Sequence, residues 1–403
     1  MKVRSITVGF DVGWPLAAQG VRRVGRFLKE ARRRYQEAGI GVQTLRCATQ
    51  PFPLALGWTD PGRAATLARE LERACRDEGI EYCSLGPIPA GHGVAAVGFV
   101  DALPELICGT EGVFATMEIG NRALGVDFAA VAGAARVITS IGCGSALGFG
   151  NLRFAALANC PPNVPFFPAA YHAGGPERFS LALEMADVAV QALGRGAPAE
   201  AEANLTAAVE AAAGRVESLA LGLERELGVG YVGVDLSPAP FPAPGLSIGE
   251  AVEGLGVGAF GSPGTLYAAA LITRALRGTR VRRCGFSGLM MPVLEDAVLA
   301  RRAADGQFSV QEALLYSAVC GTGLDTVPLP GDADESQLAG VLLDVAALAI
   351  ALDKPLTARL MPIPGREAGE PTEFDFPYFA NSVVMPLKGP GAGELLRRAL
   401  AQS

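Results

Sequence analysis

Cys320, Thr322 and Asp325 crowd one short run with two glycines among them, Val319–Cys320–Gly321–Thr322–Gly323–Leu324–Asp325. Glycines allow backbone torsions that other residues resist, so such a turn can fold tightly and expose its amides. In a ligand pocket Cys320 would serve as nucleophile or redox thiol and Asp325 as a base. With no ligand, the same run is a helix-to-strand turn holding a buried cysteine that acts as a small hydrophobe.

Further candidates lie elsewhere in the chain. Thr357 and Arg359 sit two apart on an apolar run, so they share one strand face. A guanidinium facing an interior must be paired, with a carboxylate such as Asp325 or with an anionic ligand. Asp235 and Ser237 stand at the end of an apolar strand pattern, where α/β sheets bind ligands. Residues of these types also bond their own following turn. Ser287 and the adjacent Glu295 and Asp296 flank Pro292. The two carboxylates could hold a divalent cation or work as an acid/base pair, and they could equally favour the dipole of a helix starting there. His172 follows a Pro–Phe–Phe–Pro run and suits general acid/base work. A lone histidine among aromatic residues also serves as a packed hydrogen-bonding group. The glycine-rich stretch 142–151 lacks the lysine of a phosphate-binding loop and the dinucleotide pattern.

These residues need elements to hold them. Alternation predicts strands over 3–10, 40–47, 80–85, 113–119, 152–158, 179–183, 231–236, 283–290, 326–329, 356–361 and 382–385. Three- and four-residue spacing predicts helices over 18–38, 99–107, 199–227, 249–255, 265–276, 295–304, 310–319, 336–352 and 394–401. In the first, Val21, Val24, Phe27, Leu28, Ala31 and Tyr35 form one stripe. Asp60–Pro61 opens another helix, and Asp127 caps one ending near Ile141. Repeated strand–helix alternation implies an α/β protein with a largely parallel sheet.

Composition narrows the function. The chain has 403 residues, 50% of them hydrophobic, and a net charge of −7. The acidic balance argues against nucleic acid, and Arg22, Arg23, Arg26, Arg32, Arg33 and Arg34 fit the solvated face of one helix. No uncharged apolar run reaches the roughly 20 residues a membrane helix needs. Eight scattered cysteines, with no CxxC pair and no signal-like start, read as reduced thiols in the cytoplasm.

Several runs together resemble an uncharacterised bacterial and archaeal family labelled a "PFL family protein" or domain of unknown function. They are GVDLSPAPFP (233–242), GFSGLMMPVLEDAVLA (285–300), AVCGTGLDTVPLPGD (318–332) and KPLTARLMPIPG (354–365). The resemblance implies a ten-stranded α/β barrel of the pyruvate formate-lyase type, two parallel five-stranded halves around a finger loop. The glycyl radical enzymes of that fold carry an RVxGY-like segment near the C-terminus and an adjacent cysteine pair. This chain has neither, so no radical chemistry is expected.

The expectation is therefore one α/β barrel over 1–403, binding a small and anionic ligand in its interior. Cys320, Asp325 and His172 would be catalytic. Arg359, Thr357, Asp235, Ser237 and Ser287 would bind substrate, with Glu295 and Asp296 as ligands for a divalent cation. A dimeric enzyme and a non-catalytic metabolite sensor are both compatible with this reading.

Overall fold

A computed structural model describes residues 1–194 and 197–402. Ten strands form one sheet: β1 (Lys2–Phe10), β2 (Val42–Thr49), β3 (Tyr82–Ile88), β4 (Val113–Asn121), β5 (Gly125–Val126), β6 (Phe154–Ala158), β7 (Arg178–Glu184), β8 (Gly230–Ala239), β9 (Gly323–Pro330) and β10 (Leu356–Ile363). Their order is β8-β7-β1-β2-β3-β4-β6-β10-β9, with the short β5 pairing β4. β1, β2, β3, β4 and β6 are mutually parallel. β7 and β8 form a parallel pair antiparallel to β1, and β9 and β10 a parallel pair antiparallel to β6. Among the described residues the sheet thus runs in two opposed directions, five strands against five with the short β5 antiparallel to β4, rather than in one.

The helices cover one face. Val21, Val24, Phe27, Leu28, Ala31 and Tyr35 of helix Ala18–Glu37 are buried, as their spacing predicts. They join a core that includes Leu45 and Cys47 of β2, Phe154, Ala156 and Ala158 of β6, and Leu356, Ala358 and Leu360 of β10. The alternate residues of those strands face the other way. Ala155 and Leu157 pack with Val164 and Phe286, Ala48 packs with Phe114 and Phe167, and Met361 and Ile363 pack with Phe374 and Phe379. Period-two alternation therefore puts Thr44 and Arg46 on the inner face with Ala48, and Thr357 and Arg359 with Met361.

Strand-to-strand hydrogen bonds do not close the sheet, because β8 and β9 are its two ends. Residues 282–293 touch both ends. Val234 of β8 donates to Arg282 O at 2.9 Å and accepts from Cys284 N at 3.0 Å, while Val293 N donates to Asp325 O of β9 at 3.0 Å. The strand expected over 283–290 does not form: only single bridges, Val234–Arg283 and Pro292–Asp325, mark that segment. Gly285 and Ser287 adopt positive φ, +62° and +41°, which takes the backbone out of the extended region at two nearby positions and interrupts a regular ladder. The strand expected over 382–385 shrinks to one bridge, Pro371–Val383, because Met385 N turns to Pro328 O. The third difference is at Asp325, which belongs to β9 itself rather than to a loop before it.

Candidate functional site

The register of β9 and β10 sets the centre of the site. Ala358 pairs with Leu324 and Leu360 with Val327, so Asp325 and Thr326 both stand opposite Arg359. This is a bulge, a device that re-aims side chains, and Thr326 takes a φ of +44° within it. Gly323, at φ +100°, makes the approach possible: a Cβ there would lie 2.4 Å from Thr357 O.

Arg359 lies at the middle of a buried ion network. Its Nε donates to Asp325 Oδ1 at 2.6 Å, its Nη2 to Glu295 Oε1 at 2.8 Å and its Nη1 to Leu152 O at 3.3 Å. Glu295 Oε2 accepts from Arg4 Nη2 at 2.5 Å, and Arg4 Nη1 donates to Pro240 O. Burial pushes Glu295 up, but Arg4, Arg359 and Arg46 together outweigh it and hold the carboxyl below the usual range. At Asp325 burial wins over the pull of Arg359, and the Glu295 charge adds to the rise. Among the described residues Asp325 Oδ2 has no hydrogen-bond partner.

Beside this network is a cavity of about 80 Å³. Arg4, Arg46, Asp235, Ser237, Glu295 and Arg359, with Gln43 and Thr44, give its polar wall, and the rest is aromatic and aliphatic in equal parts. Arg46 differs from the other two arginines. It is 9% exposed, and its Nε donates to Thr44 Oγ1 at 2.8 Å. Among the described residues no carboxylate lies within ion-pair distance of it. Its guanidinium sits 5.0 Å from the centroid of Phe167 and 5.5 Å from that of Tyr82. Burial, with Arg4 nearby adding to the effect, pulls Arg46 below the ordinary arginine value. The sequence reading missed this residue. The signal was there: Thr44 and Arg46 repeat the spacing of Thr357 and Arg359 on a second apolar strand.

The carboxylates chosen from sequence do different work. Asp235 lines the cavity, yet its oxygens accept from the backbone N–H of Ser237 at 2.9 Å and of Phe286 and Ser287 at 3.0 Å. Burial raises its pKa against the pull of those donors. Ser237 Oγ is 3.4 Å from Gly288 N, and Ser287 Oγ bonds Leu236 N and Cys284 O. Asp296 points away from Glu295. It caps helix Ala297–Ala304 through Val298 N and Leu299 N, and also receives Ser247 Oγ and Ile248 N at 2.6 Å, where helix Ile248–Gly254 begins. Asp296→Ala should therefore cost roughly 2–3 kcal/mol, since it removes a cap and strands two further donors. Urea unfolding should show a lower midpoint at an unchanged slope. Among the described residues no group of three or more His, Cys, Asp or Glu side chains could hold a metal ion.

Cys320 is fully buried in the helix-side core, with its Sγ 3.4 Å from Gly323 N, and does not line the cavity. Nearby, Lys354 Nζ donates to Ser317 O at 2.8 Å and also to Cys320 O, tying down the end of the preceding helix. Thr357 Oγ1 donates to Thr322 O. His172 is buried too: its ring lies between Asn163 Oδ1 at 3.2 Å and Gly175 O at 3.3 Å, over the bare Cα of Gly9, and it is not on the cavity wall. Of the residues proposed from sequence, the structure brings Arg359, Asp325, Glu295, Asp235 and Ser237 together and places Cys320 and His172 elsewhere.

The fold and the site define an α/β protein whose two-direction sheet surrounds a buried arginine–carboxylate network beside a small aromatic-walled cavity. The family model described as "Uncharacterised ACR (DUF711)" matches residues 1–379, and the chain belongs to that family. Among its relatives is a UPF0210 protein of Pyrobaculum arsenaticum, 33% identical over 344 residues, which cover 82% of this chain and 76% of that protein. A UPF0210 protein of Desulforudis audaxviator is 31% identical over 392 residues, covering 94% and 86% of the two chains. One from Pelotomaculum thermopropionicum is 29% identical over 433 residues, covering 99% and 93%. An uncharacterised family is what the sequence resemblance implied; the names these relatives carry make no reference to pyruvate formate-lyase.

Proposed function

We propose that the protein binds a small anionic metabolite in this cavity. Arg46 carries the proposal: a desolvated guanidinium without a carboxylate is costly to keep, and an anion bound in the cavity would relieve that cost. Arg359, whose nitrogens are taken by Asp325, Glu295 and Leu152 O, acts in this reading as a framework for the wall rather than as the clamp.

Among the described residues the wall carries no cysteine, histidine or lysine, so Ser237 there has no imidazole or amine beside it to activate it and no thiol faces the ligand. That favours a metabolite-sensing or regulatory binding protein over a thiol enzyme. The enzymatic alternative is proton transfer, with Asp235 or Glu295 as the group on the wall and without a glycyl radical. The same reading takes the chain as one barrel-like unit over 1–403, in which residues 282–293 fill the gap between β8 and β9. It also takes the protein as cytoplasmic, a setting that suits its unpaired thiols, and as a homodimer. Among the described residues no helix is long and apolar enough to cross a membrane.

Arg46→Gln tests the proposal. The variant should fold with stability equal to or above that of wild type, because an unpaired buried charge is gone. It should lose the thermal stabilisation that small anions give the wild type, with a drop in affinity of about 30-fold or more, in line with roughly 2 kcal/mol for a charged hydrogen-bond pair. Unchanged anion binding in this variant would remove the reading.

A further inference from the structure

The proposed anion site has a size, a charge and a wall chemistry that together select among anions. An ordered water needs about 10–15 Å³ of such space, so a cavity of about 80 Å³ takes roughly six water-sized positions. That fits a compact molecule and is too small for a nucleotide.

Charge narrows the class. Three arginines reach the wall, and two of them are matched within the protein: Arg4 by Glu295, and Arg359 by Asp325 and Glu295. Arg46 contributes one positive charge without a partner at ion-pair distance, while Asp235, on the same wall, has its charge spread over three backbone amides. With Asp235 neutral a monoanion brings the cavity to neutrality, and with Asp235 ionised it leaves a single negative charge. A dianion would leave buried negative charge whichever way Asp235 is counted, and that is expensive in a low-dielectric site.

The walls give the body of the ligand. Tyr82, Phe114 and Phe167 form a connected set of edge-to-face rings, 5.4 Å and 5.1 Å apart, beneath and beside the Arg46 guanidinium. They offer flat apolar contact next to the cationic head. Gln43 Oε1, also on the wall, is buried without a hydrogen-bond partner among the described residues. An unpartnered acceptor at a ligand cavity calls for a donor on the ligand.

Resting on the anion-site reading above, we infer that the ligand is a small monocarboxylic acid with a flat or short apolar body and at least one hydrogen-bond donor, its carboxylate on Arg46 and its donor on Gln43. A planar carboxylate also suits the planar fork of the guanidinium.

Calorimetric titration and thermal shift, with benzoate, 4-hydroxybenzoate, L-lactate and inorganic phosphate on the full chain, test this. The carboxylates should bind and phosphate should not. 4-Hydroxybenzoate should bind about 3- to 10-fold more tightly than benzoate, an advantage that Gln43→Leu abolishes while benzoate affinity is kept. Arg46→Gln should lose every carboxylate, and urea unfolding shows whether that variant is folded. Arg46→Lys should keep weakened binding. Phosphate binding more tightly than any carboxylate would overturn the monocarboxylate class and leave the anion site standing. Equal affinity for benzoate and 4-hydroxybenzoate would overturn the donor on Gln43. Failure of carboxylates and phosphate alike to bind the folded wild type would overturn this class and the anion site together.

Discussion

Arg359→Lys should lower the unfolding free energy by roughly 2–4 kcal/mol while leaving carboxylate affinity nearly unchanged. Arg359 uses three separate nitrogens on Asp325, Glu295 and Leu152 O. One ammonium cannot reproduce that fork, so at least one buried carboxylate is left short of its partner. The sign of the pH dependence follows. Asp325 already has a raised pKa, so the stability it contributes is present below its unfolded value near 3.8 and is lost as pH rises through the folded value. Weakening the Arg359 contact pushes Asp325 further up and widens that loss at neutral pH. Glu295 is lowered, so its contribution is present above about 4.5 and fades as pH falls through the folded value, and the variant has less of it to lose. The gap between wild type and variant should therefore narrow on acidification. Urea titrations at pH 7 and pH 4.5, beside calorimetry with 4-hydroxybenzoate, read both quantities. Stability held constant with affinity down tenfold would make Arg359 the ligand clamp after all.

The pairing of Asp325 with Arg359 shows what a sequence carries and what it does not. The polar alternation of Thr357 and Arg359 on an apolar strand was a local signal for an inward guanidinium, and Asp325 was a natural partner to suggest. The bulge that aims the two at each other depends on the register between β9 and β10, which is a tertiary fact. Helix Ala18–Glu37 was legible because a stripe of six apolar residues has no other good use than a core. Residues 283–290 were not, because their apolar alternation looks like a strand while their amides are claimed by Asp235, some fifty positions earlier in the chain. Cys320 misled for a related reason: a thiol between turn residues has the same local appearance whether the turn faces a cavity or, as here, the core. Arg46 escaped notice because each signal was read alone. Only the sheet order, which places β1 next to β2 and both on the face shared with β10, makes three distant arginines into one wall.

Gly285→Ala should be among the most damaging single-methyl changes in the chain, at roughly 3–5 kcal/mol. Gly285 has φ +62°, which alone costs an L-residue about 1–2 kcal/mol. The larger part is steric. A Cβ at that position would lie 2.2 Å from Asp235 Oδ2 and 2.8 Å from its Cγ. The carboxylate would have to withdraw from the amides of Phe286 and Ser287, and each hydrogen bond to a charged acceptor is worth about 1.5–3 kcal/mol. Those bonds fix residues 282–293 against β8, and the far end of the same segment brings in Glu295 to meet Arg4 and Arg359. Displacing it should therefore also weaken carboxylate binding at Arg46, because Asp235, Ser237 and Glu295 are all on the cavity wall. Gly245→Ala is the matched control: φ is +75° there, but among the described residues nothing lies within 4 Å of the added carbon, so only the same backbone cost of about 1–2 kcal/mol applies. Urea unfolding of both variants, with a benzoate thermal shift on each, should show the larger loss of stability, by about twofold, and lost binding for Gly285→Ala alone. Equal losses would mean that Asp235 does not hold the segment that completes the cavity.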